Sequence, residues 1–265
     1  MAQPVTVIIG LGREVGEAVA RRFFEAGHGV VAADSVSERV DHARRELDAQ
    51  VQVTKQDQLY KAGSLKNCLT IAKNQFERLD NLVIVPQLPE PDELRSVEAD
   101  RFGTAMMQAA SSAMLAMQLF AKELEALEEA AGARATQPRQ RGSVVFILSL
   151  QQRLMIPGRF TQNASQGAIE AVMRAGALEL APRRIRVNAV SAVRPRAQSD
   201  DDERAWLKSR TPLGRAALAD EIADAALFLS SSQSAIITGE TLMLDGGRSL
   251  LSGTLDNGSA GGEQA

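Results

Sequence analysis

Seven short runs of apolar residues, rich in β-branched types, recur along this chain, and stretches with helical periodicity separate them. The runs span residues 5–9, 29–33, 51–53, 81–85, 143–148, 185–190 and 240–244. Strands that are buried on both faces read as continuous apolar runs, and alternation with helices places those helices on the two faces of the sheet. The pattern therefore predicts an α/β fold with a doubly wound parallel sheet and three layers, α/β/α.

The composition excludes several classes of protein. The 265 residues carry a net charge of −3, so nothing indicates a nucleic-acid partner. One cysteine and two histidines are too few for a structural zinc site or an internal disulfide, and we expect no metal. No apolar stretch approaches the ~20 residues that a membrane helix needs. We expect a cytoplasmic protein without a signal peptide.

The length and apolar content fit one domain of the larger kind. Residues 1–251 are predicted to form this single domain. Residues 252–265 are rich in glycine and nearly free of apolar side chains, so we expect a flexible C-terminal tail.

A glycine pattern follows the first run, at the point where a strand would turn into a helix. Gly10, Gly12 and Gly16 fit the turn that brings a dinucleotide pyrophosphate to a helix N-terminus. Asp34 lies 24 residues after Gly10, where an acidic side chain accepts a hydrogen bond from the ribose 2′-hydroxyl, and it favours NAD over NADP. Alternatively, Asp34 caps the helix predicted to begin near residue 37.

Glu14 stands within the same turn and bears on whether NAD binds. A carboxylate that faces the pyrophosphate opposes it by ~1–4 kcal/mol, as for close like charges near a surface. Alternatively, Glu14 points to solvent or caps the helix. The sequence therefore indicates NAD as the cofactor and leaves its binding in doubt.

Two segments carry a family resemblance. Residues 162–169 read Gln-Asn-Ala-Ser-Gln-Gly-Ala-Ile, and residues 237–247 read Ile-Thr-Gly-Glu-Thr-Leu-Met-Leu-Asp-Gly-Gly. The first segment resembles the catalytic helix of the short-chain dehydrogenase/reductase (SDR) family, which carries Tyr-x-Ala-Ser-Lys there. The second resembles the C-terminal strand of that family. The resemblance covers residues 5 to 250 and implies a Rossmann-like SDR fold.

The resemblance implies a catalytic tetrad of which one member remains. The family serine matches Ser149, and the helical asparagine matches Gln108. The tyrosine matches Gln162, and the lysine matches Gln166. A glutamine amide is neutral over the accessible pH range, so it neither transfers a proton nor supplies a positive charge. The standard hydride-transfer mechanism is therefore expected to be absent, with Ser149 as a relic or as a hydrogen-bonding residue at the end of a strand.

Other titratable side chains do not replace the lost pair. Tyr60, the only tyrosine, is expected near the adenine edge of the fold, and the two histidines flank the second run. Arg153, Arg159 and Glu170 remain as candidates near the site, and none of them substitutes for a tyrosine–lysine pair.

The cofactor side also departs from the family pattern. The family has a threonine at Ile9, Asn-Asn-Ala-Gly at residues 84–87, and Pro-Gly at residues 192–193. Together with Glu14, these departures weaken the expected NAD site at several points.

The resemblance implies that two helical stripes are surfaces on which subunits assemble. They comprise Met106, Ala110, Ala113, Met117, Phe120 and Leu124 in the first helix, and Ala164, Ala168, Ala171, Ala175 and Leu178 in the second. Small residues at this spacing permit close approach of helices. A methionine stripe also fits a position in the core.

Arginines in two loops have two interpretations. Arg134, Arg139 and Arg141 lie in a polar loop at residues 130–142, and Arg194 and Arg196 precede an acidic run. They either meet an anionic ligand such as a coenzyme A phosphate or form an ordinary solvated surface. The resemblance implies an acyl-CoA or a small carbonyl compound as the substrate.

Three functions are compatible with these residues. The leading hypothesis is a non-catalytic SDR subunit that assembles with an active SDR paralogue into a heterotetrameric NAD-dependent alcohol or hydroxyacyl dehydrogenase, and a homo-oligomer is the alternative assembly. The second is an atypical active NAD-dependent oxidoreductase in which solvent supplies the proton. The third is a binding protein whose site, lined by Gln108, Ser149, Gln162 and Gln166, holds a metabolite without turnover.

Overall fold

The computed structural model describes residues 3–12, 14–131, 141–193, 205 and 207–253. Its strands are β1 (Val5–Ile9), β2 (Gly29–Asp34), β3 (Gln52–Lys55), β4 (Asn81–Ile84), β5 (Gly142–Ser149), β6 (Ile185–Ala192) and β7 (Thr241–Leu244). They form one parallel sheet in the order β3-β2-β1-β4-β5-β6-β7. The direction of winding reverses between β1 and β4, and doubly wound sheets bind ligands in the crevice at such a point.

Helices cover both faces of this sheet. They are α1 (Val15–Glu25), α2 (Ser37–Glu46), α3 (Ala62–Phe76), α4 (Ala99–Ala131), α5 (Phe160–Leu180) and α6 (Ala219–Ser230). One core lies between the sheet and α3, α4 and α5, and a second lies between the sheet and α1, α2 and α6. The predicted doubly wound fold with three layers is confirmed.

Strand β1 shows why its residues form a buried strand. Val5, Val7 and Ile9 belong to the core beneath α3–α5, whereas Ile8 belongs to the core beneath α1 and α6. Each of these side chains is at most 4% exposed. Because both faces of the strand are covered, its sequence is almost continuously apolar.

The first of the two predicted assembly stripes is mainly intramolecular. Ala113, Met117, Phe120 and Leu124 are buried in the core of the chain itself. Helices α4 and α5 approach each other closely, since a Cβ at Gly176 would lie 2.4 Å from the sulfur of Met117. In this part of α4 the apolar spacing serves the core, which was the alternative interpretation of the stripe, and its role in assembly stays a prediction.

Some expectations from the sequence fall outside the described residues. They concern Arg134, Arg139, Arg194, Arg196 and residues 254–265. In the described part of the chain, no helix combines the length and apolar character required to span a bilayer. Nor do the described His, Cys, Asp and Glu residues form a group of three or more that could hold a metal ion. The boundaries of a single domain at 1–251 stay a prediction.

Candidate functional site

The predicted site residues gather around one edge of the sheet. Gly10 follows β1, Ser149 ends β5, and Ser191 lies near the end of β6. Since the carboxyl ends of parallel strands share one edge, these residues surround a common crevice. Gln162 and Gln166 join them from the first two turns of α5.

The glycine turn after β1 has the backbone of a phosphate-binding turn. Gly10 and Gly12 adopt left-handed conformations, with φ values of 93° and 62°. The N–H of Gly10 donates to the carbonyl of Ala33 at 2.8 Å, which ties the turn to β2. A Cβ at Gly16 would lie 2.0 Å from the carbonyl oxygen of Leu11, so only glycine lets α1 begin this close to the turn.

Asp34 is directed into this turn. Its side chain is fully buried, and Oδ2 accepts hydrogen bonds from the backbone N–H groups of Leu11 at 2.9 Å and Gly12 at 3.2 Å. Oδ1 accepts from the N–H of Val36 at 2.9 Å and lies 3.7 Å from the guanidinium of Arg39. The carboxylate therefore braces the turn, and it would have to exchange these bonds to bind a ribose. It does not cap α2, whose N-cap residue is Val36.

Glu14 occupies the N-cap position of α1, with an exposed side chain and no capping hydrogen bond from it. A negative charge at a helix N-terminus is favourable by itself but opposes a second anion there. Some features of the turn therefore favour a dinucleotide, and others oppose it. The turn suits a pyrophosphate, whereas the carboxylate of Asp34 is engaged elsewhere and that of Glu14 has the unfavourable sign.

Gln166 joins α5 to the end of β5. Its side chain is fully buried, and its Oε1 accepts a hydrogen bond from the backbone N–H of Ser149 at 2.8 Å. The Oγ of Ser149 accepts from the N–H of Gln151 at 3.4 Å, so the serine begins the short turn after β5. Ser149 is 7% exposed. Both residues therefore have structural partners.

Gln162, one helical turn before Gln166, is fixed by three neighbours. Its Nε2 donates to the carbonyl of Pro89 at 2.5 Å. Its Oε1 accepts from the guanidinium of Arg159 at 3.0 Å and from Nε2 of Gln151 at 3.3 Å. The side chain is 3% exposed, so it is packed into the protein at the position where the family tyrosine faces substrate.

Three buried amide atoms at this site have no hydrogen-bond partner among the described residues. They are Nε2 of Gln166 and the Oε1 atoms of Gln151 and Gln152. The opposite end of Gln152 donates to Oγ of Ser191 at 2.7 Å. Buried polar groups are nearly always paired, so three such atoms in one place are unusual.

Residues 86–92, which we call the strap, follow β4 in the chain and contact the first residues of α5. Asp92 holds the far end of the strap: its carboxylate accepts from the N–H of Thr161 at 2.8 Å and from Oγ1 of Thr161 at 2.5 Å. Its carbonyl accepts from the N–H of Phe160 at 3.0 Å. Near the other end, Nε2 of Gln87 donates to Oγ of Ser35 at 2.9 Å. The strap thus connects the loop after β2 with the N-terminus of α5.

The hydrogen bonds to Asp92 affect its ionisation. Partial desolvation raises the pKa of the carboxyl group, but the bonds from the side chain and backbone of Thr161 outweigh this and leave the pKa below its ordinary value of 3.8. The clamp between the strap and α5 is therefore fully formed at neutral pH.

Gln108 lines a cavity of about 170 Å³, and the other three tetrad positions are not among the residues that line it. Tyr60 borders the same cavity, as do Pro86, Gln87 and Pro89 of the strap. The sequence placed Tyr60 far from the tetrad positions, and in the structure it shares a cavity with one of them. Pro89 is the connection between this cavity and Gln162.

Each of the charged candidates near the site has a partner. Glu170 accepts from Arg174 at 3.1 Å and from Oγ1 of Thr241 at 2.9 Å, and Arg153 lies 3.8 Å from it. Arg159 is bound to Gln162. None of these side chains contacts Ser149 in the described hydrogen bonds.

Sequence reasoning missed the strap and two glutamines. Gln151 and Gln152 directly follow Ser149, and residues just after a strand of a parallel sheet line its crevice. Their position was therefore a usable signal. For Asp92 the signal is weaker, because nothing local indicates that it meets Thr161, 69 residues away.

Comparison with known proteins places the chain among oxidoreductases. Residues 10–249 match the family model described as Enoyl-(Acyl carrier protein) reductase. An uncharacterized oxidoreductase of Mycobacterium tuberculosis is 30% identical, covering 92% of this chain and 91% of the relative. A short-chain dehydrogenase of Neurospora crassa is 29% identical, covering 89% and 93%. The NAD-dependent glycerol dehydrogenase of Listeria innocua is 26% identical, covering 92% of both chains.

The strand order, the glycine turn and the crevice define an α/β protein of the dinucleotide-binding class. Within that class, the chain belongs to the short-chain dehydrogenase/reductase family. Members of this family typically bind NAD or NADP.

Proposed function

We propose that this chain is a non-catalytic SDR subunit that assembles with an active SDR paralogue into a heteromeric NAD-dependent alcohol or hydroxyacyl dehydrogenase. In this assembly the paralogue carries the NAD and performs the hydride transfer. This chain contributes surfaces that hold the complex together.

The main observation behind this proposal is that the side chains of Gln162 and Gln166 are hydrogen-bonded to other parts of the fold. Gln166 accepts a hydrogen bond from the N–H of Ser149 through its carbonyl oxygen. A protonated lysine has no acceptor and is unable to make this bond. Gln162 is held by a carbonyl, a guanidinium and an amide. Neither amide ionises in the accessible pH range, so neither is able to act as the general acid. Loss of the general acid alone costs ~10²–10⁴-fold in rate.

The outer face of α5 supports an assembly role. Ala171 and Ala175 are exposed, and Leu178 is 77% exposed. This face borders a groove of about 590 Å³ between α4 and α5. Its exposed or partly exposed apolar lining includes Met114, Val172, Ala175 and Gly176. Exposed apolar surface of this kind is suited to packing against helices of another subunit.

The acidic side chains at the glycine turn support the proposal that the paralogue binds the cofactor. The carboxylate of Asp34 is occupied by three backbone N–H groups, and Glu14 adds a negative charge where the pyrophosphate would lie. The substrate class, an acyl-CoA or a small carbonyl compound, and the cytoplasmic location stay predictions.

An atypical active NAD-dependent oxidoreductase is the second candidate, because the named relatives include a short-chain dehydrogenase and an NAD-dependent glycerol dehydrogenase. In that case water would supply the proton, and the hydroxyl of Ser149 would polarise the carbonyl. This candidate requires the chain to bind NADH by itself.

Calorimetric titration of the purified chain with NADH separates the two candidates. We expect neither heat of binding nor a rise in melting temperature at about 1 mM NADH, since a ligand that binds the native state stabilises it by mass action. The glycerol dehydrogenase of Listeria innocua serves as the positive control. Binding with a dissociation constant below about 100 μM, together with NAD reduction in the presence of an alcohol, would favour the active enzyme.

A further inference from the structure

The amide cluster beneath the strap presents both a donor and an acceptor without partners. The donor is Nε2 of Gln166, and the acceptor is Oε1 of Gln151. Gln166 is fully buried, and Gln151 is 4% exposed. Leaving such groups unpaired is costly, so an arrangement that gave them partners would be favoured.

The orientation of each amide follows from neighbours that have only one hydrogen-bonding role. The N–H of Ser149 only donates, so Gln166 must turn its oxygen toward it and its NH₂ away. The guanidinium of Arg159 only donates and the carbonyl of Pro89 only accepts, which together fix the amide of Gln162. Gln151 must then offer its NH₂ to the oxygen of Gln162, and its own oxygen stays unpartnered.

The strap is joined to this cluster through few contacts. The carbonyl of Pro89 accepts from Gln162, and Gln162 in turn accepts from Gln151. Asp92 accepts from the backbone and side chain of Thr161 and is only partly buried. Releasing Asp92 would therefore free the strap to move away from the amides.

We propose that Gln151, Gln162 and Gln166 form a binding site, closed by the strap in this structure, for a neutral ligand with a carboxamide group. A carboxamide oxygen accepts from Nε2 of Gln166, and its NH₂ donates to Oε1 of Gln151. A carboxylate fits poorly, because it has no donor and would face the Gln151 oxygen. The ligand is held without turnover, so this inference rests on the proposed absence of catalysis.

Three small probes test the chemistry of the site by saturation-transfer NMR on the purified chain. Propionamide accepts and donates, N,N-dimethylpropionamide only accepts, and propionate is charged. We expect propionamide to bind at least about threefold more tightly than either of the others, since each of these lacks one partner. Equal binding of all three, or no binding of propionamide, would overturn the proposal.

Two matched pairs of variants test the closure and the contact residue. Asp92→Ala releases the strap, whereas Glu93→Ala removes a neighbouring carboxylate without a described side-chain bond. We expect Asp92→Ala alone to tighten propionamide binding, by about threefold or more, because the open state becomes more populated. Gln166→Met removes the donor, and it should abolish binding. Gln75→Met, exposed on α3, should not.

Equal affinities for Asp92→Ala and Glu93→Ala, or propionamide binding that survives Gln166→Met, would overturn the proposal. Melting curves show which variants are folded, and Thr161→Val replaces Asp92→Ala if the latter unfolds. The samples contain neither dinucleotide nor paralogue. A negative result therefore counts against the amide site alone, whereas NADH binding counts against the proposed function.

Discussion

Two parts of the molecule resemble the SDR family to different degrees, and their hydrogen bonds differ accordingly. At the junction of β6 and β7, Asn188 uses both ends of its amide: Nδ2 donates to the carbonyl of Ile237 at 2.8 Å, and Oδ1 accepts from the N–H of Glu240 at 3.1 Å. At the β5–α5 site, Gln166 uses its oxygen only, and its nitrogen has no described partner.

The junction keeps the family residues because the backbone itself requires them. Gly246 and Gly247 have φ values of 60° and 85°, which other residues rarely adopt. Asp245 accepts from the N–H groups of Gly247 and Ser249 at 2.9 and 2.8 Å. At the β5–α5 site the family residues serve a reaction. In the proposed non-catalytic subunit, other residues that maintain the packing are tolerated there.

The largest expected effect is that of restoring the family lysine. Gln166→Lys places a charge at a fully buried position and leaves the N–H of Ser149 without an acceptor. We expect a loss of about 3–5 kcal/mol in the free energy of unfolding, as for an uncompensated buried charge. Urea denaturation measures it. Gln166→Met is the control, which loses the same hydrogen bond without burying a charge and should cost about 1–2 kcal/mol. A Gln166→Lys protein as stable as the parent would mean that the site still accommodates the catalytic pair.

A smaller loss of stability is expected from a substitution at the junction of β6 and β7. Asn188→Leu removes the acceptor of the Glu240 N–H and one of the two donors to the carbonyl of Ile237. The other donor, Arg186, remains. Because the Asn188 side chain is fully buried, we expect a cost of about 1–3 kcal/mol. Urea denaturation against Asn74→Leu, an exposed residue of α3 for which we expect a change within about 0.5 kcal/mol, tests this. If the two variants lose equally little stability, hydrogen bonding does not explain the difference between the junction and the β5–α5 site.

The smallest effect concerns the pH dependence at the junction. Burial raises the pKa of Asp245, but the hydrogen bonds from Ser249 and Gly247 outweigh it and hold the pKa below 3.8. A lowered pKa in the folded state adds stability above the unfolded value, and this stability is lost as the pH falls through the folded value.

Asp245→Asn should therefore destabilise the protein by about 1 kcal/mol at neutral pH. The difference from the parent should shrink as the pH falls below about 4. Thermal unfolding between pH 7 and pH 3 measures this, with the exposed Asp57→Asn as the control. A difference that stays constant with pH would show that the carboxylate charge does not matter there.

The sheet could be predicted from the sequence because each strand is covered on both faces and is therefore apolar along its length. The predicted bounds of the strands differ from the observed bounds by only one or two residues. At β3, for example, residues 51–53 were predicted and Gln52–Lys55 are observed. The candidate site could be located for a related reason, since residues that follow parallel strands meet at one edge.

The contacts within the site could not be predicted in the same way. Asp34 was expected to face a ribose, and its inward direction depends on N–H groups that the glycine turn presents only once folded. The clamp of Asp92 on Thr161 joins residues far apart in sequence. The orientation of each glutamine amide likewise depends on tertiary neighbours, because an amide is able to donate or accept.

The most direct test of the proposed function is native mass spectrometry of the tagged chain purified from its own host. The account predicts a complex with a second SDR chain that contains Tyr-x-x-x-Lys, with dinucleotide on that chain only. Leu178→Arg, on the exposed face of α5, should release the partner, and Leu94→Arg, equally exposed to solvent, should not. A homo-oligomer with one dinucleotide bound per subunit would contradict the account.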